Sequence, residues 1–177
     1  METRDWLKVR QLAEQVRKAA EEEVGEVYGS SLSGACALAS LILDEMLWKN
    51  GVKSQFVMGQ FCLKDQFEHD HCWVLIGDRV VDVTATQFIW KDGHDLRYFA
   101  PVHMQNRLHR EPEYRAIKYN DQAIREVTTE WCMGWSDEEL RLIQRMLGRP
   151  WVDELRRGIR RREECQSGFP RWSTPSF

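Results

Sequence analysis

The hydrophobic pattern of the first fifty residues predicts two helices of different character. A stripe of apolar residues at helical spacing, with charged and amide side chains elsewhere, predicts a surface helix over residues 4 to about 23. The stripe consists of Trp6, Val9, Ala13, Val16 and Ala20. After a loop of small residues, the segment from Cys36 to about Asn50 is apolar around most of its circumference, with Gly51 in the usual stop position. We expect this second helix to be central to the domain and buried on several sides.

The pattern becomes extended after the second helix. The predicted elements are a buried strand within residues 52–63, a polar connection over residues 64–68, and two short strands over residues 71–76 and 79–84. The pair Gly77-Asp78 between the last two strands is of the Gly-X type that suits a type II′ hairpin turn. We therefore expect these two strands to pair antiparallel.

The second half of the chain is mainly helical in pattern. The predicted elements are a long loop over residues 85–109, a strand over 114–119, and helices over about 120–131, 136–148 and 151–164. Ser136 and Glu139 have the spacing of a capping box, which opens the middle one of these helices. We expect a catalytic core with its N-terminal helix over residues 1–119. A C-terminal helical extension with a tail over residues 120–177 is expected to pack on this core.

Composition and charge narrow the functional classes without identifying one. The chain has 177 residues, of which 42% are hydrophobic and 30% charged, and its formal net charge is -3. This composition is ordinary for a globular domain and argues against a general nucleic-acid or membrane-surface binder. The arginine-rich run over residues 156–162 is flanked by acidic residues, so pairing along a solvated helix accounts for it. We do not expect nucleic acid as a partner.

The compartment and cofactors are inferred from what the pattern lacks. No apolar run approaches the roughly 20 residues of a membrane span, and the first residues lack the basic and apolar segments of a signal peptide. Five cysteines at irregular spacing do not suggest a disulfide framework. We therefore expect a cytoplasmic protein with reduced thiols and no membrane partner. Since no phosphate-binding glycine loop or metal motif is present, neither a cofactor nor a metal is expected.

Cys36 is the candidate nucleophile. It follows a turn of small residues and begins the apolar helix. The first N–H groups of a helix have no intrahelical acceptor, and the helix start carries a partial positive charge. Both effects favour the thiolate, which is the nucleophilic form of cysteine.

The predicted hairpin supplies a base and an orienting carboxylate. A two-residue turn places Ile76 opposite Arg79, so that Trp73 lies opposite Asp82. Because side chains alternate between faces along a strand, His71 and Asp82 then share a face as diagonal neighbours, with Cβ atoms about 7–8 Å apart or less. A carboxylate at that position can hydrogen-bond the imidazole and fix its tautomer.

Two other interpretations use neighbouring residues. His69 lies on the same face as His71 and competes for the role of base, but it is two positions further from Asp82. Cys62, His69, His71 and Cys72 could instead be zinc ligands. The absence of a Cys-x-x-Cys pair and the opposite orientations of His71 and Cys72 on a strand favour a core role for both cysteines.

Taken together, these motifs resemble the transglutaminase-like core of the papain-like cysteine enzymes. They are a cysteine that begins an apolar helix, His-x-Trp on a strand, and Asp-x-Thr at the end of the next strand. The resemblance covers Gly34 to Phe88, about a third of the chain. The spacings are most similar to those of bacterial lasso-peptide leader peptidases and arylamine N-acetyltransferases. The resemblance implies an α+β fold with the nucleophile helix packed on an antiparallel sheet. It also implies that Cys36 is the nucleophile, His71 the general base and Asp82 the orienting acid.

We therefore expect a hydrolase, a peptidase or deamidase, that cleaves an amide bond of a peptide, protein or small molecule through a thioester acyl-enzyme. Acyl transfer to an amine, or a catalytically silent binding module of the same fold, are the alternatives. Ser33, Trp73 and Thr84 are expected to contact the substrate. Papain-like enzymes often carry an oxyanion-hole glutamine shortly before the cysteine, where this chain has serines. The backbone N–H of Cys36 can donate one hydrogen bond to the oxyanion, and the sequence does not identify the second donor.

Overall fold

The computed structural model describes residues 3–63, 67–88, 100–106, 112–126 and 135–156. The helices are α1 (Thr3–Tyr28), α2 (Cys36–Lys49), α3 (Asn120–Glu126), α4 (Asp137–Leu147) and α5 (Arg149–Arg156). The strands are β1 (Gln55–Leu63), β2 (Phe67–Ile76), β3 (Arg79–Asp82), β4 (His103–Asn106) and β5 (Glu113–Tyr119). A 3-10 turn over Ala85–Phe88 follows β3. The fold is α+β, as expected.

The five strands form one antiparallel sheet in the order β4-β3-β2-β1-β5. The hairpin register of β2 and β3 is confirmed, because Ile76 pairs with Arg79 and Leu75 pairs with Val80. Gly77 has φ +64°, as the first turn position of a type II′ hairpin requires. The capping box at Ser136 and Glu139 is also confirmed, with both of its hydrogen bonds formed.

Three boundaries differ from expectation. Helix α1 continues to Tyr28 rather than ending near residue 23, and β2 begins at Phe67, inside the expected polar connection. The expected loop over residues 85–109 contains the 3-10 turn and β4. Strand β4 forms by pairing with β3, so a tertiary contact supplies what the local sequence pattern does not show. The ends expected for the helices after Glu126 and Arg156, together with the tail, lie outside the described residues.

Helix α2 is central, as its pattern predicts. It packs against β1, β2, α1 and α4, and ten of its fourteen residues are buried. Its apolar side chains join those of α1, α4 and one sheet face in a single cluster. A second cluster lies on the opposite face of the sheet and consists of Val57, Phe61, Leu63, Trp73, Leu75, Val80, Phe88 and Tyr114. Within the described ranges, none of the helices combines the length and the apolar content needed to cross a bilayer.

Gly59 allows the second cluster to close against the sheet. It pairs with His71 across β1 and β2, at a shift in the pairing of β1 with β5. A Cβ at Gly59 would overlap the Arg115 carbonyl oxygen and lie 2.6 Å from Cη2 of Trp73. The carbonyl belongs to a paired strand and the indole is buried, so neither can move aside without disrupting the packing.

We predict that Gly59→Ala lowers the free energy of unfolding by roughly 1–3 kcal/mol, the range of overpacked cores. Urea denaturation monitored by tryptophan fluorescence measures the effect. Gly25→Ala in α1 is the matched control, because a Cβ there meets nothing within 4 Å and the residue is helical. That control should be stabilised by about 0.5–1 kcal/mol. Equal effects of the two substitutions would contradict the steric account.

Candidate active site

His71 and Asp82 form a buried hydrogen-bonded pair at the centre of the sheet. The His71 Nε2–H donates to Asp82 Oδ2 at 2.7 Å, and both side chains are fully buried. Strands β2 and β3 bring the two residues together, through the hairpin that the sequence predicts. The residues predicted to be the base and the orienting acid are therefore adjacent.

Each carboxylate oxygen of Asp82 accepts two hydrogen bonds. Oδ1 accepts from the Thr84 backbone N–H at 2.8 Å and from the Thr84 hydroxyl at 3.1 Å, and Oδ2 also accepts from the Tyr114 hydroxyl at 2.8 Å. Burial acts to raise the pKa of Asp82, but the charge of His71 and these hydrogen bonds outweigh it and hold the pKa below its ordinary value. Asp82 is therefore held as a carboxylate that can orient a cationic imidazole.

Aromatic rings surround the His71 imidazole. Phe61 and Phe88 meet it edge-on at 6.0 and 5.0 Å between ring centroids, and Trp73 stacks on it at 6.1 Å. Together with the Asp82 hydrogen bond, these rings fix the orientation of the imidazole.

The loop before Cys36 sets the start of α2. Gly29, Leu32 and Gly34 all have positive φ, of 71°, 57° and 94°. Leu32 is fully buried, and this packing holds a leucine in a backbone region that disfavours it. The N-cap residue, Ala35, has no side-chain acceptor, so no N-cap side chain binds the amides of the first turn.

Cys36 begins α2, the helix that packs against β2, the strand of His71 and Cys72. Among the described residues, the pairing of β3 with β2 starts at Val74, so β3 does not cover the segment around His71 and Cys72, and the Ser40 hydroxyl on α2 donates to the Cys72 carbonyl at 3.0 Å. The Cys36 thiol interacts there with both His71 and Cys72, although their side chains leave β2 on opposite faces. The three predicted catalytic residues therefore lie together.

The charges of this cluster favour a thiolate and an imidazolium. The hydrogen bond from the Cys72 side chain lowers the pKa of Cys36 well below its ordinary value. Burial opposes this effect, and the hydrogen bond and charge of His71 add to it. Burial also acts to lower the pKa of His71, but Asp82 and Cys36 outweigh it and raise the pKa to about 10.

Gln87 is a site residue that the sequence reasoning did not single out. It lies on the 3-10 turn after β3, where its Nε2 is 2.9 Å from His71 Nδ1 and its Oε1 accepts from the Gly34 N–H at 3.3 Å. Its place in Asp-x-Thr-x-x-Gln was the only signal, since Asp82 and Thr84 already marked this turn as part of the site.

Arg17 on α1 was also missed, and it joins the two loops of the site. Its guanidinium donates to the carbonyls of Ser30 at 2.8 Å and Val83 at 2.9 Å, and to the Thr86 hydroxyl at 2.6 Å. The side chain is only 5% exposed. Arg17 thus holds the loop that precedes Cys36 against the turn that carries Gln87, a contact that helical periodicity cannot reveal.

Two of the three residues expected to contact the substrate are buried. Trp73 is 1% exposed and packs beside His71, and Thr84 is fully buried on Asp82, so both support the site from within the protein. Ser33 is exposed beside Gly34, so its side chain is accessible to a substrate. The competing base, His69, is exposed and stacks near Phe88 at 5.8 Å, whereas His71 binds Asp82.

Among the described residues, no group of three or more His, Cys, Asp or Glu side chains is arranged to hold a metal ion. Cys62 and Cys72 are buried strand residues without a disulfide. Cys72 contacts Cys36, which the sequence did not indicate.

The chain was compared with protein-family models, with curated proteins and with solved structures, and none of them matches it.

We predict that iodoacetamide alkylates Cys36 with a pH midpoint below 9, the ordinary thiol value. A lowered pKa means that the thiolate persists as the pH falls, until the pH reaches that lowered value. His71→Ala removes the cationic partner and should move the midpoint upward. Peptide mapping by mass spectrometry measures each cysteine separately, and Cys62, whose pKa burial raises, is the internal control. An unchanged midpoint in His71→Ala would contradict the pairing.

We also predict that Arg17→Met lowers the free energy of unfolding by roughly 3 kcal/mol, because buried carbonyls lose a charged donor. Urea denaturation measures the loss. Arg10→Met on the same helix is the control, since the Arg10–Glu14 pair is exposed and 3.9 Å apart. It should change the free energy by less than about 0.5 kcal/mol. A similar loss in both variants would show that Arg17 acts only through α1.

Proposed function

We propose that this protein is a Cys-His-Asp enzyme of the transglutaminase-like class that cleaves an amide bond through a thioester acyl-enzyme. The observation that carries the proposal is the buried bond from His71 Nε2 to Asp82 Oδ2, with the Cys36 thiol on the same imidazole. A structural histidine could bind a carboxylate in the same way. A purely structural histidine would not also need a cysteine at the start of a helix beside it.

The order of elements supports the finer assignment of the fold. The nucleophile begins a buried helix, and the base and acid follow on antiparallel strands, as the resemblance implies. The division into a core over residues 1–119 and an extension over residues 120–177 belongs to the same proposal. Contacts of α4 with α1 and α2 favour an extension that packs on the core.

The reaction proceeds in two halves. The Cys36 thiolate attacks the amide carbonyl, and the backbone N–H of Cys36 is placed to donate to the resulting oxyanion. The imidazolium of His71 gives its Nδ1 proton to the leaving amine, which leaves a thioester on Cys36. Neutral His71 then takes a proton from water at Nδ1, and the hydroxide attacks the thioester. The carboxylic acid is released, and the Cys36 thiolate and the His71 imidazolium are regenerated. Asp82 stabilises the cation in each half.

Hydrolysis is the first choice, and acyl transfer to an amine shares every step up to the thioester. A silent binding module would keep the fold without the reaction. The burial and charge pairing of His71 favour catalysis over a silent module, because a binding role does not need an imidazolium beside a thiol.

p-Nitrophenyl acetate tests the proposal as a minimal acyl donor. We expect a burst of p-nitrophenol and an acetyl adduct on Cys36, read by mass spectrometry. Cys36→Ala should abolish the adduct, His71→Ala should slow its formation by about 10²–10⁴-fold, and Cys62→Ala is the matched control that should behave as wild type. Added glycine amide then separates the two reactions, since an acyltransferase diverts the acetyl group from water to the amine. An adduct that forms equally fast in His71→Ala would contradict the proposal.

A further inference from the structure

The Gln87 carboxamide is hydrogen-bonded to Nδ1, one of the two ring nitrogens of His71. Its Nε2 lies 2.9 Å from His71 Nδ1, and its Oε1 accepts from the Gly34 backbone N–H. A backbone N–H can only donate, so it requires the amide oxygen on its side. The orientation of the amide is therefore set independently of His71, and the NH₂ group faces the ring.

This orientation has a consequence for the proton on His71. Nε2 donates to Asp82, so Nδ1 is the nitrogen that exchanges a proton with Cys36. A carboxamide NH₂ is a donor, and it needs the Nδ1 lone pair as its acceptor. An imidazolium carries a proton on Nδ1 and offers no lone pair. The Gln87 hydrogen bond therefore exists only with the neutral ring.

The other groups around His71 do not duplicate this effect. Among the described residues, the titratable side chains that face it from neighbouring elements are Asp82 on β3, Cys36 on α2 and Tyr114 on β5. Asp82 and Cys36 favour the imidazolium, and the Tyr114 hydroxyl donates a hydrogen bond to Asp82. Gln87 opposes the ion pair at the nitrogen where that pair must form.

We propose that Gln87 is a positioning residue that competes with the Cys36 thiol for the lone pair of His71 Nδ1, and that an entering substrate amide displaces it. This inference rests on the proposed function. When the Gln87 amide leaves, the proton of Cys36 moves from Sγ to Nδ1 and gives the thiolate and the imidazolium, with no other reactant. Gln87 thus weakens the ion pair without abolishing it, because Asp82 and Cys36 still favour the imidazolium, and loss of the Gln87 bond shifts the balance further toward the thiolate.

The test measures the pH profile of Cys36 alkylation by iodoacetamide in Gln87→Met, which keeps the shape of the side chain and removes the amide. Loss of one competing hydrogen bond should raise the rate below the midpoint about fivefold and move the midpoint down by about 0.7 pH unit. Gln87→Asn, one methylene shorter, should shift the profile in the same direction. It also serves if the methionine variant does not fold.

Gln105→Met is the matched control. Gln105 lies in the same sheet and is also bonded to a histidine, since its Oε1 is 2.8 Å from His103 Nε2 and its Nε2 donates to the Pro112 carbonyl. The pH profile of Cys36 alkylation in Gln105→Met should match that of the wild type, because Gln105 is not bonded to His71.

A midpoint that stays in place or rises in both Gln87 variants would overturn the role of Gln87. The proposed function would survive that result as long as His71→Ala still slows the alkylation of Cys36. If Cys36 of the wild type reacts no faster than Cys62, both proposals fail.

Discussion

The buried hydrogen bond between His71 and Asp82 is the interaction on which the rest of the site depends. A carboxylate inside a protein is costly unless each of its oxygens is bonded, and here three residues on β2, on β5 and after β3 supply the four donors. Meeting this requirement depends on the pairing register of the central strands. It also explains why Gly59, which leaves room for the indole beside His71, has a structural role at some distance from the reacting atoms.

Cys36 and His71, the proposed nucleophile and base, approach from opposite sides of the sheet. Helix α2 packs on the face that contains Cys72, whereas His71 belongs to the other face. They meet where, among the described residues, β3 ends at Asp82 and α2 rather than β3 contacts β2, through the Ser40 hydroxyl on the Cys72 carbonyl. Two connecting segments then complete the site, namely the turn that carries Gln87 and the loop before Cys36, and Arg17 holds them together.

The elements that the sequence predicted well are those with a local cause. The two-residue turn and the alternation of side chains specify how His71 and Asp82 pair, and an apolar circumference specifies a buried α2. Gln87 and Arg17 were missed because their partners are 13 or more residues away and depend on the tertiary fold. Strand β4 was missed for the same reason, since its pairing with β3 defines it.

The most direct test of the central claim is the pKa of His71 itself, from the ring ¹⁵N resonances of labelled protein, assigned with His71→Gln. If Cys36, His71 and Asp82 form one electrostatic unit, His71 titrates near pH 10 in the wild type. It then titrates at lower pH in both Cys36→Ala and Asp82→Asn, because each variant removes a negative charge beside the ring. A His71 that titrates near its ordinary value of 6.5, unchanged in both variants, would contradict the account.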